Sequence, residues 1–241
     1  MGGDLVSGVF TTARVEGGRI VRLEAHRARL ESDAQVLSAP ADLLSQYMRD
    51  AFQQAVNESK SRPSATVRVA LGRRADGSLG HTVELTVSRR ARFTTGDTPL
   101  ALVSVSDPRE AVDAKRFPRD ALTALEHACR ARCAEPLLVS GNLIREGSWF
   151  HVLAHTPDGW RAPSEGTIRG TTRTLVIAGL RARGERVDEG PLALHELSAE
   201  TSLFALSALI EVAPVGSLDG AALRLDHTDR ERTLLVDCLG T

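Results

Sequence analysis

Polar and apolar positions alternate along GVFTTARV (8–15), with β-branched Val9, Thr11, Thr12 and Val15, and this period of two predicts a strand. Glu16-Gly17-Gly18 supplies a hairpin turn, because glycine takes positive φ without steric cost, and residues 19–23 return as a second strand. The period then changes. In LEAHRARLESDAQVL, Leu23, Leu30, Ala34 and Leu37 recur near helical spacing, so a helix is predicted from about Glu24. A second helix is predicted over 41–57, with Leu43, Leu44, Met48, Phe52 and Val56 on one side. ATVRVALGRR and HTVELTVSRR alternate around the polar turn Ala75-Asp76-Gly77-Ser78, the pattern of an antiparallel hairpin. The first ~95 residues therefore read as an antiparallel sheet with two helices.

The second half is patterned differently. Residues 90–110 are mixed, with a short strand over 100–105 flanked by Gly96, Pro99 and Pro108. The domain junction is placed there, giving an N-terminal domain 1–95, a linker 96–110 and a C-terminal domain 111–241. Pro118 fits the first turn of a helix whose inner face is Ala121, Leu125, Ala128 and Cys129. The short strands EPLLVS, NLIRE and WFHVLAH follow, joined by Ser140-Gly141-Asn142 and closed by Thr156-Pro157-Asp158-Gly159. RGTTRTLVIAGLRARG predicts a helix capped by Gly184, and residues 202–216 read as short strands around a turn.

Composition narrows the class. An apolar fraction of 42% and a charged fraction of 25% over 241 residues describe a globular chain able to bury a core. With 30 Lys+Arg against 31 Asp+Glu, the net charge of −1 offers no general attraction for nucleic acid or an anionic membrane. No apolar run approaches the ~20 residues of a membrane span. The start Met1-Gly2-Gly3 suggests a myristoylation signal, but Val6 stands where Ser or Thr is wanted. Cys129, Cys133 and Cys238 are odd in number and follow no signal peptide, so a disulfide framework is not expected and a cytoplasmic protein is. Cys129 and Cys133, one helical turn apart, read as small buried helix residues. The seven His are scattered, and no metal site is expected.

Four stretches could carry chemistry. Lysine is scarce among the basic residues, and Lys115 in DAKRFPRD is either a solvated loop residue or, with its pKa lowered by burial, a nucleophile toward carbonyls that forms a Schiff base. Glu146 lies 31 residues later, between apolar strand positions; it marks a strand edge or faces a cationic partner, since an unpaired buried carboxylate is costly. Gly170-Thr171-Thr172 begins a helix, where free amides and the dipole bind phosphate, although a Thr cap needs no ligand. Arg29 could complete an anion site or form a surface ion pair. Taken together these are the parts of a pyridoxal 5′-phosphate (PLP) site: a Schiff-base Lys, a carboxylate for the pyridinium nitrogen, and an Arg with a helix N-terminus for the phosphate.

The order of these motifs resembles the fold-type IV PLP enzymes, the class IV aminotransferase family. FTTARV followed by LEAHRARL is similar to that family's Phe-x-Thr/Gly-x-Arg strand, turn and His-x-x-Arg-Leu. Both stretches, with SALIEVAPV near 207–215, are most similar to 4-amino-4-deoxychorismate lyase, and the resemblance runs from about residue 8 to 220. It implies an α/β, two-domain fold like D-amino acid aminotransferase, with a small N-terminal α/β domain and a larger, barrel-like C-terminal domain. It implies that Lys115 is the Schiff-base Lys and proton shuttle and that Glu146 faces the pyridine nitrogen. Arg29, Thr171, Thr172, Ser207 and Ala208 would contact the phosphate. Phe10, Thr12 and Arg14 share one strand face and would line the substrate pocket, with Thr12 as the catalytic substrate-side hydroxyl. His26 reads as a packing and hydrogen-bonding residue. The implied enzyme is a cytoplasmic homodimer that eliminates pyruvate from aminodeoxychorismate to give 4-aminobenzoate, for folate or a secondary pathway.

The chain departs from the pattern in places. It starts only a few residues before Gly8, where the family usually carries a further strand; His151 stands where an Asn usually follows the Glu by five residues; Pro118 replaces the usual Asn after the Lys. The substrate-touching glycine/arginine segment appears only as GRRADGSLGH, and with one Tyr in the chain the aromatic-rich aminotransferase pocket is missing. An aminotransferase of the branched-chain or D-amino acid type fits the same cofactor residues, and a relative that binds without PLP is the third reading.

Overall fold

The computed structural model describes residues 4–86 and 98–240. They fall into two compact units, one of residues 4–86 with Ala111–Arg119, the other of residues 98–110 with the chain from Asp120 onward.

In the first unit, β1 (Leu5–Glu16) turns through the positive-φ pair Gly17-Gly18 into the short β2 (Arg19–Ile20). Helices α1 (Leu23–Ala34) and α2 (Ala41–Ser59) follow, then the hairpin of β3 (Ser64–Arg74) and β4 (Leu79–Thr86). The antiparallel sheet has the order β2-β1-β3-β4. Its long central pair, β1 and β3, approaches closely where Gly8 faces Gly72; a Cβ on Gly8 would lie 2.1 Å from the Leu71 carbonyl oxygen. Val9, Ala13 and Val15 of β1 and Val67, Val69 and Leu71 of β3 join Leu30, Met48 and Phe52 of the helices in one core. The other face of β1 is also largely closed, since Phe10 and Arg14 are buried.

The second unit is a mixed sheet. After β5 (Leu100–Ser106) the chain returns to the first unit, where β6 (Arg116–Phe117) pairs with β1. Then come α3 (Asp120–Arg130), β7 (Glu135–Ser140), β8 (Leu143–Gly147), β9 (His151–Thr156), β10 (Gly159–Pro163), α4 (Thr171–Ala182), β11 (Val187–Gly190), β12 (Ser202–Ser207), β13 (Glu211–Leu218), β14 (Ala221–Ala222) and α5 (Thr228–Asp237). The strand order is β11-β10-β9-β12-β13-β5-β7-β8. The two ends of this sheet meet: Leu143 bridges Ala193, and the Ile144 amide donates to the Leu192 carbonyl at 2.8 Å. The sheet is thus curled into a barrel-like body. Alternation along β12 serves both sides of it. Leu203 and Ala205 join an interior core with Phe150 and Val215, while Phe204 and Leu206 join Val176, Leu180 and Leu235 beneath α4 and α5. The expected fold class, a small α/β domain and a barrel-like one, is the one observed.

Several local expectations need correction. The stretch expected as a linker over 96–110 holds β5, which pairs in parallel with β7 and β13 inside the second sheet; residues 96 and 97 lie outside the described residues. Residues 111–119, expected with the C-terminal domain, belong to the first unit because β6 pairs with β1. Pro118 precedes the helix, which starts at Asp120. The buried face of α3 is Leu122, Glu126 and Cys129, not Ala121 and Ala128, and Glu126 is tolerated there because Arg130 pairs with it at 3.3 Å. Cys133 lies beyond that helix, exposed and at φ 57°. Among the described residues no helix is long and apolar enough to cross a membrane.

Candidate active site

The buried stripe of α1 is unusually polar. His26, Arg29 and Asp33 share it with Leu30 and Ala34, at the spacing that sets one helix face against β1. Burial is the first cause that lowers the His26 pKa, to about 3, helped by the charges of Arg29, Lys115 and Arg22, so the imidazole is neutral at pH 7. Its Nδ1 lies 2.8 Å from Thr11 Oγ1, a bond within the core. Arg29 donates to the Phe10 carbonyl and pairs with Asp33 at 3.5 Å. Asp33 Oδ2 also accepts the Lys115 amide at 3.2 Å. One buried carboxylate therefore fixes both Arg29 and the backbone of Lys115, and burial raises its pKa against the pull of those two cations.

Lys115 sits immediately before β6, and its carbonyl accepts the Phe10 amide at 3.0 Å. That bond extends the β1–β6 ladder and carries the lysine to the Phe10 face. Its Nζ lies 4.9 Å from the Phe10 ring centroid. The same ring carries the guanidinium of Arg68 at 4.5 Å and that of Arg119 at 5.9 Å. Arg68 also lies 5.0 Å over Phe117 and pairs with the exposed Glu84 at 3.3 Å. Thr12 faces this side because its register partner on β3 is Arg68. Arg14, buried, turns toward Glu16 at 3.2 Å. The unit thus brings Phe10, Thr12, Arg29 and Lys115 together. Arg68, Arg119 and Asp33 were missed by sequence reasoning. For Arg68 a signal existed: it interrupts the apolar run of ATVRVAL at a position of one alternating face.

In the second unit, Glu146 is only 2% exposed. Its carboxylate accepts from Arg109 Nη1 at 2.5 Å and from the Ile168 amide at 3.2 Å, and its other oxygen is 2.9 Å from His151 Nε2. Burial pushes this carboxyl up, but His151 and Arg109 outweigh it and hold it below the ordinary range, so it is an anion. Asp107 grips Arg109 from behind, at 2.9 and 2.7 Å. Of the two sequence alternatives for Glu146, a strand edge or a cationic partner, the structure supplies the partner. Helix α4 opens at Gly170 with no side-chain cap, so its first amides have no side-chain acceptor there. Thr171 is half-buried and Thr172 buried in that turn. Ser207 ends β12, its hydroxyl accepting the Leu209 amide at 3.3 Å, and Ala208 follows half-buried in the same turn.

A profile of the amino-transferase class IV family matches residues 8–218. The chain is 26% identical, over 90% of its length and 83% of the relative's, to a bifunctional aminodeoxychorismate lyase / D-amino acid transaminase of Mycobacterium tuberculosis. It shares its fold with the PLP-bound form of a hypothetical aminotransferase from M. tuberculosis, at TM-score 0.80 and 22% identity over 96% of this chain and 88% of that one. A 4-amino-4-deoxychorismate lyase from Pseudomonas aeruginosa superposes at TM-score 0.73 and 18% identity, over 95% and 90% of the two chains. Enzymes of this family use PLP. The residues present fit that group: a buried carboxylate held ionised suits a protonated ring nitrogen, and an uncapped helix start suits a phosphate.

Proposed function

The chain belongs to the amino-transferase class IV family, and on that premise we propose that it is a PLP-dependent lyase that converts 4-amino-4-deoxychorismate into 4-aminobenzoate and pyruvate. The observation that carries this reading is the set of three cations around the Phe10 ring, Lys115, Arg68 and Arg119. A substrate amine brought to Lys115 has two guanidinium groups beside it, which favours a substrate with two carboxylates over a branched apolar one.

When bound, PLP supplies an aldehyde for the substrate amine and a ring that takes up the electron pair left at the amine-bearing carbon. Lys115 Nζ takes the proton from that carbon. Glu146, kept anionic by Arg109 and His151, holds the proton on the ring nitrogen. Arg29, the first amides of α4 with Thr171 and Thr172, and the turn at Ser207-Ala208 bind the phosphate. Thr12 directs its hydroxyl to the substrate, and Arg14 with Arg68 orients carboxylates. The enzyme is a cytoplasmic homodimer in this reading, and sedimentation should return twice the chain mass.

A second reading, transamination with a dicarboxylic keto acid, draws on the same cations, and the M. tuberculosis relative is named for both activities. One experiment separates the readings. Purified protein is mixed with PLP and its near-visible absorption recorded, for the wild type and Lys115→Ala, and pyruvate is then followed after aminodeoxychorismate is added. The expected result is a band lost in the variant, pyruvate released by the wild type, and a rate lower by at least roughly 10²–10⁴-fold without Lys115. A band with amino transfer but no pyruvate selects the transaminase; no band in the wild type sinks both enzymes and leaves a binding protein.

A further inference from the structure

His151 occupies the position where the resembling family usually has Asn, and its imidazole touches two elements at once. Nε2 is 2.9 Å from Glu146 Oε2 and 2.9 Å from the Ile168 carbonyl oxygen. Ile168 in turn donates its amide to the other oxygen of Glu146, at 3.2 Å. The ring lies against the backbone of Gly170, where a Cβ would fall 2.3 Å from His151 Cε1. Gly170 is the residue at which α4 begins. A single imidazole therefore joins the buried carboxylate on β8 to the segment that leads into the helix.

Both neighbours of Nε2 are acceptors only, so the geometry requires a hydrogen on Nε2, shared between carboxylate and carbonyl. Arg109 cannot supply the same link. It grips Glu146 Oε1 from one side and bonds Asp107 with its amide, Nε and Nη2 on the other. Without His151, the carboxylate keeps its counter-charge and the bond from the Ile168 amide, but the imidazole link to the Ile168 carbonyl and the packing against Gly170 are lost.

We propose that His151 is a positioning residue that sets the Glu146 carboxylate and the N-terminal turn of α4 in one fixed relation. The ring-nitrogen and phosphate contacts of the cofactor would then be aligned together; this last step rests on the proposed roles of Glu146 and α4. An ordinary Asn reaches less far from the backbone and places its amide nearer the position of Nδ1 than of Nε2.

The test uses the full chain without ligand first. Imidazole nitrogen NMR should find His151 with its hydrogen on Nε2, and amide exchange over 168–172 should quicken in His151→Leu, which keeps the volume but removes the donor. His151→Gln, which returns an N–H near the Nε2 position, should restore slow exchange. PLP affinity, read by fluorescence quenching, should weaken roughly tenfold or more in the Leu variant, the scale of losing a partner that orients a ligand, and recover in the Gln variant. An unprotonated Nε2, or exchange and affinity in His151→Leu equal to the wild type, overturns the proposal. If the Leu variant does not fold, the nitrogen assignment in the wild type decides. Absence of PLP binding by the wild type defeats the cofactor reading alone, because the tautomer and exchange measurements need no cofactor.

Discussion

At the scale of single residues, the buried polar groups around α1 set a pH dependence of folding. His26 has its pKa lowered from 6.5 to about 3, first by burial and then by neighbouring cations. The unfolded chain therefore binds a proton that the folded chain refuses between those values. Stability from this group is complete above the unfolded pKa and is lost as pH falls from about 6.5 toward 3, at up to ~1.4 kcal/mol per pH unit. Between about pH 7 and pH 5 the wild type should lose about 2 kcal/mol more than His26→Gln, measured by urea unfolding at both values. Parallel losses in the two proteins would show that His26 is not held neutral. The residues that act through partners were the hard ones to read. Lys115, Glu146 and Arg29 stand inside local motifs, so the sequence alone marks them as candidates. Arg109 and Asp33 matter through bonds that span 37 and 82 positions, and no local pattern announces such a pair.

At the scale of elements, period carried most of the reading. β1, α1, α2 and the β3–β4 hairpin follow from alternation or helical spacing, because each buries one face against one core. The face of α3 was misread because a paired Glu126 sits where an apolar residue was expected. α5 was not read at all: TDRERTLLVD is dominated by charge, and Leu235 is the one buried apolar residue of the helix. That helix nevertheless makes a demanding contact. Gly179, in the middle of α4, leaves a gap in which a Cβ would lie 2.5 Å from Cys238 Cβ and 2.9 Å from its Cα. Ala in a helix interior gains about 1 kcal/mol over Gly, but here backbone at the end of α5 must move, and overpacking costs ~1–3 kcal/mol. The clash should win. Gly179→Ala is expected to lower the thermal midpoint, and a variant that melts higher than the wild type would mean that α5 yields freely.

At the scale of the whole molecule, the barrel-like closure was legible only through resemblance. Parallel pairing of β5 with β13 sets Leu102 beside Leu218, and the sheet closes through Leu143 and Ala193; such long-range choices leave no period in the sequence. The candidate cofactor residues are spread along the sequence in the same way, from Arg29 to Ala208. Binding to the folded chain alone stabilises it by RT ln(1 + [L]/Kd), about 2.7 kcal/mol at a hundredfold excess over Kd. For a chain of this size that is a rise of roughly 5–10 °C in the thermal midpoint. Pyridoxal, which lacks the phosphate, should give a smaller rise at equal concentration, because on the proposed assignment the start of α4 and Arg29 would then have no anion to hold. Lys115→Ala should keep part of the PLP effect, since the proposed phosphate and ring-nitrogen contacts do not involve its side chain. Equal shifts from PLP and pyridoxal would remove Arg29, Thr171 and Thr172 from the phosphate site while leaving Lys115 in place, and no shift from either would remove the cofactor itself.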